Sequence, residues 1–111
     1  MSPALVESTT SLAPLFAALG DSTRLTVLVR LGDGQSRSIA ELTEGTGLTR
    51  QGVSKHLMIL EQVGVITSER LGRESRYAIR PGALDEARRY LEQASRQWDH
   101  AIDRLRKHVE K

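Results

Sequence analysis

SIAELTEGTG (38–47), LTRQGVSKHLMILEQVGVI (48–66) and TSERLGRESRYAI (67–79) follow one another without a gap, and their order decides the fold. Ser38 and Glu41 stand in the S-x-x-E spacing that lets a helix start satisfy its own free N–H groups. Gly45 or Gly47 ends the short helix that follows. Thr49 is the N-cap of a longer helix, to Val63, whose buried stripe is Val53, Leu57, Leu60 and Val63. Gly64 is its C-cap. Arg50, Gln51, Ser54 and Lys55 crowd the other side of its first turns. Val65–Arg70 and Ser75–Arg80 are rich in β-formers and flank a turn containing Gly72, which predicts a hairpin. The expected fold is mainly α with a small β-hairpin: a helix-turn-helix with a wing. That device places one helix in the major groove of DNA and clamps phosphates beside it.

Composition narrows the remaining classes. A chain of 111 residues suits one domain with one modest core. The formal charge is only +2, but its distribution is uneven. From Arg50 to Arg80 the chain carries Arg50, Lys55, Arg70, Arg73, Arg76 and Arg80 against Glu61, Glu69 and Glu74, and a local basic patch matters more to a polyanion than the net sum. With no cysteine there is no disulfide, thiolate metal site or cysteine redox switch. No apolar run approaches a membrane span, and MSPALVESTTSLAPL (1–15) lacks the basic start and apolar core of a signal peptide. A soluble cytoplasmic protein with no membrane partner is expected. No Gly-rich phosphate loop, cysteine nucleophile or G-x-S-x-G is present, so no catalytic site is expected.

Outward from the central stretch, residues 1–10 carry no periodic pattern and are expected to be frayed. Leu12, Leu15, Phe16 and Leu19 recur at helical spacing up to Gly20. Asp21 or Ser22 caps a second helix, with Leu25, Leu28 and Leu31 on one face. After Pro81-Gly82, one long helix is predicted from Ala83 to Val109. Its apolar and small residues, Leu84, Ala87, Leu91, Ala94, Trp98, Ala101, Leu105 and Val109, step by three and four, a heptad-like seam. So long a helix cannot hide its stripe on so small a domain; the same helix of a second copy is the expected cover, joined by the first helix. Organisation then reads as a flexible 1–10, a DNA-binding core 11–82 and a dimerisation helix 83–111.

LGDSTRLTVLVRL (19–31), IAELTEGTGLTRQGVSKHLMILEQVGVI (39–66) and ERLGRESRYAI (69–79) resemble the bacterial ArsR/SmtB-type winged-helix repressors. The resemblance implies a homodimer built on the first and last helices, its two recognition helices meeting an inverted repeat in a promoter and its release following a metal ion or another signal. It implies DNA contacts from Thr49, Arg50, Gln51, Ser54 and Lys55 on the helix and from Arg70, Arg73 and Arg76 on the wing. It places Leu12, Leu15, Phe16, Leu84, Leu91, Trp98 and Leu105 in the dimer interface. The residue types suit these roles: Arg bonds guanine bidentately, Gln bonds adenine, and Ser and Lys reach phosphates or base edges. Gly52 would let the backbone approach the duplex closely.

Metal-sensing relatives hold their ion with a D-x-H and a following H-x-x-E/H on the last helix, or with cysteines on the third. Here Asp99 and His100 are adjacent, His108 is followed by Val109-Glu110, and the third helix offers Ile39, Ala40, Glu41 and Leu42. No metal and no cofactor is expected, and an inducer, if one acts, would be a small molecule of unspecified chemistry. Tyr90 and Trp98 would then line an intersubunit cavity or simply fill the dimer core. Two other readings stay open: a metal-responsive sensor with a non-standard site from His100, His108 and nearby carboxylates, and a winged-helix protein-interaction module without DNA binding. The arginines on helix and wing speak against the second.

Overall fold

The computed structural model describes residues 3–110. Five helices and three strands follow in the order α1 (Pro3–Leu19), α2 (Ser22–Arg30), β1 (Arg37–Ser38), α3 (Ile39–Thr43), α4 (Arg50–Gln62), β2 (Ile66–Leu71), β3 (Glu74–Ile79) and α5 (Asp85–Glu110). Contacts divide the chain into two units, Pro14–Ala83 and the residues to either side of it, the first boundary falling inside α1.

Within Pro14–Ala83 the core is Val27 and Leu31 of the α2 region, Leu42 of α3, Val53, Leu57 and Leu60 of α4, and Val65 and Ile66 leading into the wing, all buried. Local chemistry sets each helix start. Asp21 accepts the Arg24 N–H at 3.0 Å to cap α2. Ser38 Oγ accepts the Glu41 N–H at 3.2 Å while the Glu41 carboxylate accepts the Ser38 N–H at 3.2 Å, so both arms of the capping box close at α3. Thr49 Oγ1 accepts the Gly52 N–H at 3.0 Å to cap α4. Gly64, with φ +79°, turns the chain from α4 into the wing.

The wing is an antiparallel sheet in the order β1-β3-β2. Leu71 pairs with Glu74, leaving Gly72-Arg73 as a two-residue loop. A positive φ of +64° at Gly72, with no positive φ at any non-glycine described, fits a turn of type II′, which matches the twist of the strands.

The second unit pairs the first part of α1 with α5. Leu5, Leu12 and Ala87 are buried. The Thr9 hydroxyl donates to the Leu5 carbonyl at 2.9 Å, so at the 2.7 Å contact with Tyr90 the phenol is the donor. α5 runs 26 residues, about 39 Å at 1.5 Å per residue.

Several expectations need correction. Residues 3–10 are helical; Leu5 and its buried side chain anchor a segment in which no periodicity was visible. Residues 1 and 2 lie outside the described residues. The inward face of α2 carries Val27 and Leu31, whereas Leu25 is exposed, because three-residue steps drift off one face of a 3.6-residue helix. β1 adds a third strand to the expected two-stranded hairpin. Leu12 and Leu15, expected at the dimer interface, are already buried within one chain, and Phe16 is half-buried. On α5, Ala87 is buried and Ile102 joins the exposed apolar stripe.

Glu41 gives the fold a pH signature. The Ser38 N–H and hydroxyl, then the Arg76 and Arg37 guanidiniums, hold its carboxyl below the usual carboxylate range. A depressed folded-state pKa means that the charge contributes stability above the unfolded value and that this is lost as pH falls through the folded one. Glu41→Gln keeps the capping geometry but not the charge. Its stability deficit should therefore shrink as urea unfolding is repeated from neutral pH into the acid range; a deficit independent of pH would contradict this.

Candidate nucleic-acid interface

α4 presents its free face because its other face is the core. Val53, Leu57 and Leu60 are inward, and at 3.6 residues per turn Gln51, Lys55, Met58 and Gln62 lie opposite them. Arg50 and Ser54 flank this face. Gln51, Lys55 and Arg50 are exposed, Ser54 half-exposed. Among the described residues their side chains have no partner within the chain, leaving a cation, a guanidinium, an amide and a hydroxyl facing outward. The Thr49 hydroxyl is exposed but already accepts the Gly52 N–H as a cap.

The wing arginines separate into two kinds. Arg70 and Arg73, at and beside the turn, are exposed and unpartnered among the described residues. Arg76 is not. Its guanidinium donates to the Ser36 carbonyl at 2.7 Å and the Ser36 hydroxyl at 3.0 Å, and lies 3.3 Å from Glu41 and 3.4 Å from Glu74. Within the chain it fastens β3 to the segment before α3, fixing the wing beside the helix-turn-helix. Arg80 likewise donates to the Gly64 carbonyl at 2.6 Å, tying the end of β3 to the end of α4.

A second strut fixes α4 from the other side. Arg24 of α2 donates to the Ala18 carbonyl at 2.5 Å and the Ala17 carbonyl at 3.4 Å, and its other nitrogen meets His56 Nδ1 at 3.2 Å. Asp21 lies 3.8 Å from the same ring nitrogen. Its carboxyl is held below the ordinary range chiefly by the Arg24 N–H, then by the Arg24 and His56 charges, against some desolvation. His56 thus links the recognition helix to the α1–α2 corner rather than facing outward.

Gly52 sits in the first turn of α4, where an added Cβ would meet nothing closer than Thr49 Oγ1 at 3.4 Å. The fold accommodates alanine there. Gly52→Ala should raise unfolding stability by about 0.5–1 kcal/mol through helix propensity. It should nonetheless weaken DNA binding if the backbone approaches the duplex; higher stability with unchanged affinity would exclude a close approach.

Among the described residues no three His, Asp or Glu side chains gather closely enough to hold a metal ion, and no single helix is long and apolar enough to cross a membrane. A capped helix-turn-helix with an outward polar face and an arginine-tipped hairpin defines a winged helix-turn-helix DNA-binding protein. A helix-turn-helix domain model matches residues 19–69. The uncharacterized HTH-type transcriptional regulator YuzN of Bacillus subtilis is 40% identical over 65 residues, 53% of this chain and 71% of that one. The HTH-type transcriptional regulator CmtR of Mycobacterium tuberculosis is 40% identical over 77 residues, 69% of this chain and 64% of that one. The solved structure of an ArsR-like transcriptional regulator from Rhodococcus sp. RHA1 superposes with a TM-score of 0.76 at 33% identity, covering 91% of this chain and 94% of that chain. The chain belongs to the ArsR/SmtB family of winged helix-turn-helix transcriptional regulators. It is a DNA-binding transcriptional regulator.

Proposed function

We propose that the protein is a homodimeric repressor that occupies an inverted-repeat operator in a promoter and excludes polymerase sterically. The observation that carries this reading is the outward face of α4, whose Arg50, Gln51, Ser54 and Lys55 have no partner among the described residues, beside unpartnered Arg70 and Arg73. Gln51 and Arg50 read base edges, Ser54, Lys55 and Thr49 add backbone contacts, and the two wing arginines anchor phosphates or the adjacent minor groove. Arg76 acts at one remove, by holding the wing.

The second copy is called for by α5. Leu84 just before it and Leu91, Trp98, Ile102, Leu105 and Val109 on it are all exposed, Trp98 at 69%. A row of apolar side chains along one helix is surface that a partner covers. The same helix of a second copy is the partner whose stripe matches, and Phe16 adds to the contact from α1. An inducer would act by favouring a dimer whose two recognition helices are wrongly spaced or too mobile, since a ligand shifts states only through differential affinity.

Affinity for a promoter fragment measured against salt tests the electrostatic part. With about six phosphates neutralised per dimer, log affinity should fall against log salt with a slope of about −5. A flat response would contradict it.

A further inference from the structure

The outward face of α4 carries one side chain that phosphates and polar base edges do not explain. Met58 lies four residues beyond Ser54 and seven beyond Gln51, with Lys55 and Gln62 on either side, and 59% of it is exposed. A single exposed apolar residue is ordinary on a protein surface. The place is what gives this one meaning. Of the groups that base pairs present in the major groove, one is apolar, the C5 methyl of thymine. Methionine is suited to meet it, having an unbranched, flexible chain and a polarizable sulfur.

We propose that Met58 is a specificity-determining residue, its thioether packing on the C5 methyl of a thymine about three base pairs from the pair read by Gln51. With α4 laid along the duplex axis, seven residues advance about 10.5 Å at 1.5 Å each, three steps of base pairs stacked about 3.4 Å apart. Lys55, carrying positive charge on the same face, holds the helix against the backbone while the methyl contact discriminates. The inference rests on the proposed entry of α4 into the major groove and adds to it a thymine requirement in each half-site.

Deoxyuridine differs from thymidine only by that methyl, so it isolates the contact. Operator duplexes in which each thymine is replaced in turn by deoxyuridine are titrated with the wild-type dimer, Met58→Gln and Met58→Leu, all three checked by circular dichroism and thermal unfolding. For wild type, one thymine per half-site should be sensitive, its replacement weakening binding about fourfold, the factor expected for one buried methyl-sized group. Met58→Gln, which removes the contact in both half-sites, should weaken binding to the thymine operator about sixteenfold and be indifferent to deoxyuridine at that position. Met58→Leu, still apolar, should keep the preference. If deoxyuridine at every position affects wild type and Met58→Gln equally, or affects neither, while wild type still binds the operator specifically, Met58 does not read thymine and the groove assignment of α4 stands. If wild type shows no sequence preference on any duplex, that assignment fails and the role of Met58 fails with it.

Discussion

Trp98→Ala should shift the protein from dimer toward monomer and remove specific operator binding, through the lost dimer and not through a DNA contact. The indole is the largest apolar side chain on the exposed stripe of α5, midway between Leu91 and Leu105. Truncating a buried indole costs about 3–5 kcal/mol, and covering by a second copy would bury this one. A loss of that size is enough to dissociate a dimer of micromolar stability at working concentrations. Two recognition helices must be held at fixed separation to meet two half-sites, so operator affinity should collapse with the dimer. Sedimentation and DNA titration on the same samples test this, with circular dichroism to separate dissociation from unfolding. A variant that dimerises and binds as wild type does would place the interface elsewhere.

Gln51→Ala and Arg73→Ala should differ in kind. Gln51 leaves the first turn of α4 with a free amide, and losing a bidentate contact to adenine should reduce discrimination at one base pair per half-site by about 1–3 kcal/mol. Arg73 sits in the two-residue loop of the wing, where a phosphate or minor-groove contact carries little sequence information. Its loss should weaken binding to operator variants and unrelated DNA by similar factors and make the salt slope shallower by about two, one contact being lost from each protomer. Identical profiles for the two variants across a panel of operator mutations would refute the division of labour between helix and wing.

Features whose chemistry lies within a few residues could be read from the chain. The capping box of Ser38 and Glu41, the caps at Asp21 and Thr49, the inward stripe Val53-Leu57-Leu60 and the glycines at 64 and 72 are short-range signals, and the helix-turn-helix and hairpin followed from them. Features fixed by distant partners could not. β1 has two residues, too few for an alternating pattern, and exists only because Arg37 and Ser38 pair with Tyr77 and Arg76. Arg76 looks like its neighbours Arg70 and Arg73 in sequence, yet it answers to Ser36, forty residues away. The opening of α1 carries threonines and serines, weak helix formers; burial of Leu5 and the Thr9–Tyr90 hydrogen bond, 81 positions apart, supply what propensity does not. Met58 lies outside the Val53-Leu57-Leu60 stripe in the sequence already, but an apolar side chain on a helix carries no mark of function until its exposure beside Gln51 and Lys55 is seen.

Hydroxyl-radical footprinting of the protein on its operator shows whether two copies of α4 occupy two major grooves. A dimer placing one α4 in each of two major grooves should protect two half-sites related by two-fold symmetry, on one face of the duplex, with centres about 34–36 Å or a whole multiple of a helical turn apart. A single asymmetric footprint, or protected segments on opposite faces of the duplex, would contradict it.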